Sequence, residues 1–100
     1  PVIIAGDFNA HSTEWGCSPR QEDPRGRAVV DWAAGHGLLL INRGSTSTCV
    51  RPKGESVIDL TWASPSAARM FREWVVEAEG ETLSDHRYIV LTLCLCTPKR

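Results

Sequence analysis

A chain of 100 residues is one domain at most, with room for a single modest core. Apolar residues at 42% and charged residues at 23% are globular values, which argue against disorder outside the ends. The formal net charge of -1 argues against a generally basic nucleic-acid scaffold, but leaves room for a local Arg patch or a metal that screens phosphate.

Val2 to Ala5 carries apolar side chains on both faces and is predicted as a short, fully buried strand. Gly6 to His11, GDFNAH, follows at once. Such a strand holds its C-terminal end rigidly, so polar groups just past it can be aimed at a ligand. His11 to Gln21, with Gly16, Ser18 and Pro19, reads as a loop. Asp23-Pro24 then supplies an N-cap and a first-turn proline for a helix from Arg25 to Gly35. Its apolar stripe is Val29, Val30, Ala33 and Ala34, and Gly35 and Gly37 supply the stop.

Leu38 to Ile41 is predicted as a second buried strand and Ser47 to Val50 as a third, so that strand, helix and strand suggest an α/β unit. Arg51 to Glu55 is a turn. In the strand Ser56 to Trp62, Ile58, Leu60 and Trp62 face one way while Val57, Asp59 and Thr61 face the other. An acid on a strand face is costly unless something pairs with it. Ser64-Pro65 opens a short helix to about Arg72, Trp74 to Ala78 reads as an edge strand, and Glu79 to Ser84 as a loop. Arg87 to Cys96 closes the chain as a long strand with Ile89, Leu91, Leu93 and Leu95 on one face.

Cys17, Cys49, Cys94 and Cys96 form neither a CxxC pair nor a Cys/His zinc spacing. They read as buried free thiols, with Cys94 and Cys96 on one strand face. A reducing compartment, nuclear or cytoplasmic, is the expectation. No apolar stretch approaches the length of a membrane span, and no signal-peptide pattern is read in these residues. The start at Pro1, within the first residues of a strand, suggests a piece of a longer polypeptide.

Three polar clusters occupy comparable places: Asp7 and Asn9 after the first strand, Asp59 within an otherwise apolar strand, and Ser84-Asp85-His86 before the last. Singly, each has a structural explanation: an Asx-turn, a paired buried acid, a loop cap. Together they form a chemical set. Asp7 and Asp85 can share a hard divalent cation, Mg²⁺ or Mn²⁺. His86 beside that site, with its other ring nitrogen held by Asp59, would have a fixed tautomer. Asn9 supplies an amide donor for an oxyanion. The set suits hydrolysis of a phosphodiester. His11 is balanced between a loop histidine and a site residue, and Trp15 reads as packing over the loop rather than touching DNA.

In this order, GDFNAHSTEWG, SVIDLTWAS and LSDHRYIVL resemble the later motifs of the endonuclease/exonuclease/phosphatase superfamily, which includes the apurinic endonucleases and DNase I. The connecting text from Arg25 to Ser64 resembles the endonuclease domain of non-LTR retrotransposons, which lies upstream of reverse transcriptase. The resemblance covers nearly the whole chain. It implies an α/β fold, the C-terminal half of a DNase I-like four-layer sandwich with a mixed sheet and flanking helices, over residues 1–100. It also implies a metal-dependent endonuclease that nicks DNA to prime reverse transcription.

By that resemblance Asp7 is the base or water-positioning acid, Asn9 and His86 contact the scissile phosphate, Asp59 orients His86, and Asp85 is a metal ligand. Thr61 and Ser84 are candidates for supporting hydrogen bonds. Family domains also carry an N-terminal half with an asparagine, a metal-binding glutamate and usually a tyrosine, and this chain has none of that half. What remains is then one half of a two-sheet sandwich, its inter-sheet surface uncovered unless a partner or a second copy covers it. Arg43, Arg51, Lys53 and Arg87 could line a DNA path, although a solvated face explains scattered Arg equally. Two further readings compete: a superfamily phosphoesterase acting on a phosphoinositide or sphingolipid, and a non-catalytic remnant that binds nucleic acid or protein.

Overall fold

The computed structural model of the chain describes residues 1–94. Leu95 and Cys96, expected in the last strand, lie outside these residues. Among the described residues, no helix is long and apolar enough to cross a membrane.

Three strands make the central sheet: β1 (Ile3–Asp7), β2 (Leu39–Leu40) and β5 (Asp59–Ala63), in the order β1-β5-β2. Both outer strands run antiparallel to β5, with Ile3 opposite Ala63, Asp7 opposite Asp59, and Leu40 opposite Trp62. The expected mixed sheet is therefore corrected: every described strand pair is antiparallel. β1 and β2 run parallel to each other, as the strand-helix-strand order suggests, but β5 lies between them. The helix α1 (Pro24–Gly35) makes the crossover.

Alternation along β5 divides the interior. Leu60 and Trp62 join Trp15, Ala33, Val57 and the flanking Val29, Val30 and Trp32 in a core beneath α1. Trp62 meets Trp15 and Trp32 edge-on, with ring centroids 6.0 and 6.3 Å away. Ala63 belongs instead to a second core with Ile41, Ala67, Phe71 and Trp74. That core lies against an antiparallel pair, β6 (Phe71–Val76) with β7 (Ile89–Leu93). Across it the indole N–H of Trp74 donates to the Thr61 hydroxyl at 3.1 Å. β5 is thus covered on both faces, and burial of each large apolar side chain there contributes about 1.5–3 kcal/mol.

A hairpin, β3 (Cys49–Arg51) with β4 (Gly54–Ser56), projects between β2 and β5, and α2 (Pro65–Ala68) links β5 to β6. Several expected bounds shift. α2 is one turn rather than a helix to Arg72, because β6 starts at Phe71, where the chain pairs with Leu93. The loop from His11 to Gln21 is tightened by two 3₁₀ turns, Thr13–Trp15 and Pro19–Gln21.

β1 is not the fully buried strand its apolar run predicts. It is a sheet edge, and Val2 and Ile3 are 48% and 39% exposed. Leu39 in β2 is likewise exposed, as is Ala34 on the far side of α1. Cys17 and Cys49 are buried free thiols, as expected.

Candidate active site

The site forms where β1 ends and β5 begins. Their register sets Asp7 directly opposite Asp59. Like charges in that relationship repel. His86 lies between them. Its Nδ1 is 2.8 and 3.0 Å from the two Asp59 oxygens, and its Nε2 is 3.6 Å from Asp7 Oδ2. The first separation is a hydrogen bond. The second is too long for one. Exposure rises across the group, from 16% at the Asp59 side chain to 30% at His86 and 46% at Asp7, so the imidazole divides a sheltered carboxylate from an open one.

Backbone pairing fixes His86. The segment around it lies along β3: His86 bridges Cys49, Val50 N–H donates to the Asp85 carbonyl, and Arg87 N–H donates to the Thr48 carbonyl. The Ser84 hydroxyl accepts the His86 N–H at 3.1 Å. Ser84 thus supports His86 through the main chain. Thr61 shares the strand face of Asp59, but its hydroxyl accepts from Trp74 and belongs to the inter-sheet core.

Two residues that the sequence reading passed over hold Asp59. Thr48 is fully buried, and its hydroxyl accepts the N–H groups of both Ile58 and Asp59, at 3.1 and 3.2 Å. The Asn42 amide donates to the Asp59 carbonyl at 3.0 Å and accepts the Thr61 N–H at 2.8 Å, so a side chain continues the pairing where β2 stops. Asn42 follows an apolar strand much as Asn9 follows β1, and that parallel is the signal that could have marked it. Thr48 has no comparable sequence signal.

Asn9 adopts a left-handed backbone, φ 46°, which asparagine tolerates better than most residues. Its N–H donates to Asp7 Oδ1 at 2.8 Å, the Asx-turn that a structural explanation anticipates. Asn9 itself is exposed.

The rest of the loop is anchored to α1. His11 gives its N–H to Asp23 Oδ1 at 3.1 Å and sets Nδ1 2.7 Å from Asp23 Oδ2. Asp23 also accepts the Gly26 N–H at 2.7 Å as the helix N-cap. Burial works to raise the Asp23 pKa, but the His11 side chain and the Gly26 and His11 N–H groups outweigh it and hold the carboxyl below its ordinary range. Trp15 is buried, with its indole N–H on the Ala10 carbonyl.

Asp85 stands apart from the Asp7-Asp59-His86 group. Its carboxylate faces Arg51 Nε at 3.4 Å on an exposed surface. Arg87 is turned to the Ser47 carbonyl at 2.9 Å, so of the four basic residues considered for a DNA path, Arg51 and Arg87 are engaged within the fold. Nearby, burial pushes the Cys49 thiol up while the Arg51 guanidinium pulls against it.

Among the described residues, Asp7, Asp59 and His86 form a group whose ligand atoms all lie within 4.8 Å of one another. Two carboxylates and an imidazole are a donor set that a divalent cation accepts.

The described residues thus make an α/β domain: antiparallel strand pairs flanked by a helix, with an Asp-His pair at the strand ends of the central sheet. The chain belongs to the endonuclease-reverse transcriptase family, whose sequence profile matches residues 1–90. Among solved structures it is similar to the endonuclease domain of TRAS1, a telomere-specific non-LTR retrotransposon, with 29% identity and a TM-score of 0.81. That match covers 93% of this chain and 41% of the other, so the chain spans less than half the length of its solved relative. No curated protein matches it.

Proposed function

We propose that this chain carries the acid-imidazole part of a metal-dependent DNA endonuclease, which nicks one strand to prime reverse transcription of a non-LTR retrotransposon. The observation that carries the reading is His86 held between Asp59 and Asp7, in a member of the endonuclease-reverse transcriptase family. The chain's fold supports its being the C-terminal half of a DNase I-like four-layer sandwich, with the other half supplied by the same longer polypeptide or by a partner. The exposed edge of β1 is where such a half would join. Reduced Cys17 and Cys49 fit work inside the cell, in nucleus or cytoplasm.

Asp59 accepts the proton on Nδ1 of His86 and so directs Nε2 toward the space beside Asp7. There an Nε2–H, on a ring that then carries protons on both nitrogens, donates to the scissile phosphate and stabilises the charge that develops on it. Asp7 orients the attacking water and accepts its proton. The Asn9 amide donates to a phosphate oxygen. Asp7, with Asp59 and His86 close by, would hold Mg²⁺ or Mn²⁺. When bound, the cation supplies charge neutralisation at the phosphate. Asp85 is proposed as a further ligand, since its long, exposed pair with Arg51 is a weak restraint on the carboxylate.

The test is nicking of supercoiled plasmid by the purified chain, with Mg²⁺ or EDTA, beside the Asp7→Ala variant. Metal-dependent nicking that disappears in the variant supports the reading. If the folded chain is silent, the same comparison is made in the longer polypeptide that carries it. Nicking there that is indifferent to EDTA and to Asp7→Ala overturns the reading.

A further inference from the structure

The loop that carries Asp7 and Asn9 has a grip on α1 that the assigned chemistry does not use. Arg25, in the first turn of the helix, donates from Nη1 to the Asn9 carbonyl at 3.0 Å. A charged donor on a carbonyl makes one of the stronger hydrogen bonds available to a surface side chain. It falls on the one described non-glycine residue with positive φ, a sparsely populated backbone state that such a contact stabilises further.

Atom by atom, the contacts run toward the site. Arg25 holds the Asn9 carbonyl, the Asn9 N–H holds Asp7 Oδ1, and Asp7 Oδ2 faces His86 Nε2. With Oδ1 engaged, the carboxylate can turn only by breaking its bond to the Asn9 N–H. The helix is fixed to the same loop by a separate attachment, the Asp23 contacts with His11. Arg25 therefore need not hold the loop on the protein. Its contact governs the pose of the Asn9 peptide.

We propose that Arg25 is a positioning residue for this site: it stabilises the left-handed turn at Asn9 and so sets the orientation of the Asp7 carboxylate. The inference rests on the catalytic reading of Asp7. Arg27, exposed on the same helix, has no side-chain hydrogen bond or ion pair among the described residues and serves as the control.

The experiment has two readouts. Amide hydrogen exchange at Asn9 is followed by NMR in the 100-residue chain for the parent, Arg25→Ala, Arg25→Lys and Arg27→Ala. Exchange at Asn9 is expected to be about tenfold faster in Arg25→Ala, the loss of one charge-assisted bond. Lysine restores part of the protection because it keeps a charged donor without the planar fork. Arg27→Ala and the parent behave alike, and all four proteins keep a cooperative thermal melt, so the change at Asn9 is not unfolding of the domain.

In the polypeptide that nicks, Arg25→Ala is expected to lower kcat roughly 10- to 100-fold with KM unchanged, as small misplacements of a reacting group do. Parent-like exchange at Asn9 in Arg25→Ala overturns the positioning role. So does an unchanged kcat in Arg25→Ala beside an inactive Asp7→Ala. An Asp7→Ala variant that nicks like the parent overturns the catalytic reading beneath it, a result that does not involve Arg25.

Discussion

His86 Nδ1 lies 2.8 Å from Asp59 Oδ2, a contact between residues 27 positions apart. Two different sheets bring them together. Asp59 opens β5 in the central sheet, whereas His86 is set by its bridge to Cys49 beside β3. The pair therefore forms only when the β3-β4 hairpin is docked against β5.

If Asp59 fixes the imidazole tautomer, Asp59→Asn should damage nicking without unfolding the domain, because asparagine keeps the shape and loses the acceptor charge. The expected loss is about 100-fold or more, with His86→Ala at least as severe. Plasmid nicking and a thermal melt on each variant check this. Equal activity of Asp59→Asn and parent at equal melting temperature breaks the assignment.

Thr48 should matter more to stability than its size suggests. Its hydroxyl takes two N–H groups in a fully buried position. Valine has nearly the same volume and no acceptor, so Thr48→Val leaves both donors unpaired and is expected to cost about 2 kcal/mol or more. Thr48→Ser should retain most of the stability. Urea unfolding of the three proteins gives the comparison, and a Thr48→Val midpoint equal to that of the parent contradicts it.

Why Asp59 was legible in the sequence and Thr48 was not comes down to periodicity. Strand alternation put Asp59 on an inner face, where an acid requires a partner, and the nearby Asp85-His86 motif offered one. Thr48 and Asn42 act on main-chain groups across loops, and no periodic pattern records such contacts. The helix start at Asp23-Pro24 was read correctly from its cap, and the cap is present. β1 was misjudged because an apolar run shows which side chains favour burial, whereas β1 is an edge strand paired on one side, with β5, and Val2 and Ile3 are left exposed.

Gly26 is required for a steric reason. A Cβ there would sit 1.9 Å from the His11 carbonyl oxygen, a backbone atom that cannot swing aside. Gly26→Ala must then push the His11 loop off the helix, against alanine's own preference for helix. The expected net cost is about 3 kcal/mol, at the upper end for overpacking. A thermal melt decides it, since a stabilised Gly26→Ala would show that the approach is looser than the structure has it.

Asp23 ties the same loop to the same helix through its charge, and this gives its contribution a direction in pH. Its carboxyl is held below its ordinary value in the folded chain, so the carboxylate stabilises the fold above the unfolded value, 3.8, and this is lost as pH falls through the lower folded value. Replacing it with alanine removes the N-cap and should cost about 1 kcal/mol near neutral pH. The gap between parent and Asp23→Ala should then narrow as the pH is taken below about 4, where the parent's carboxyl also becomes protonated. Urea midpoints measured from neutral to acid pH follow that difference. A gap that stays constant through the acid range would show that the carboxylate charge is not what holds His11 and the helix together.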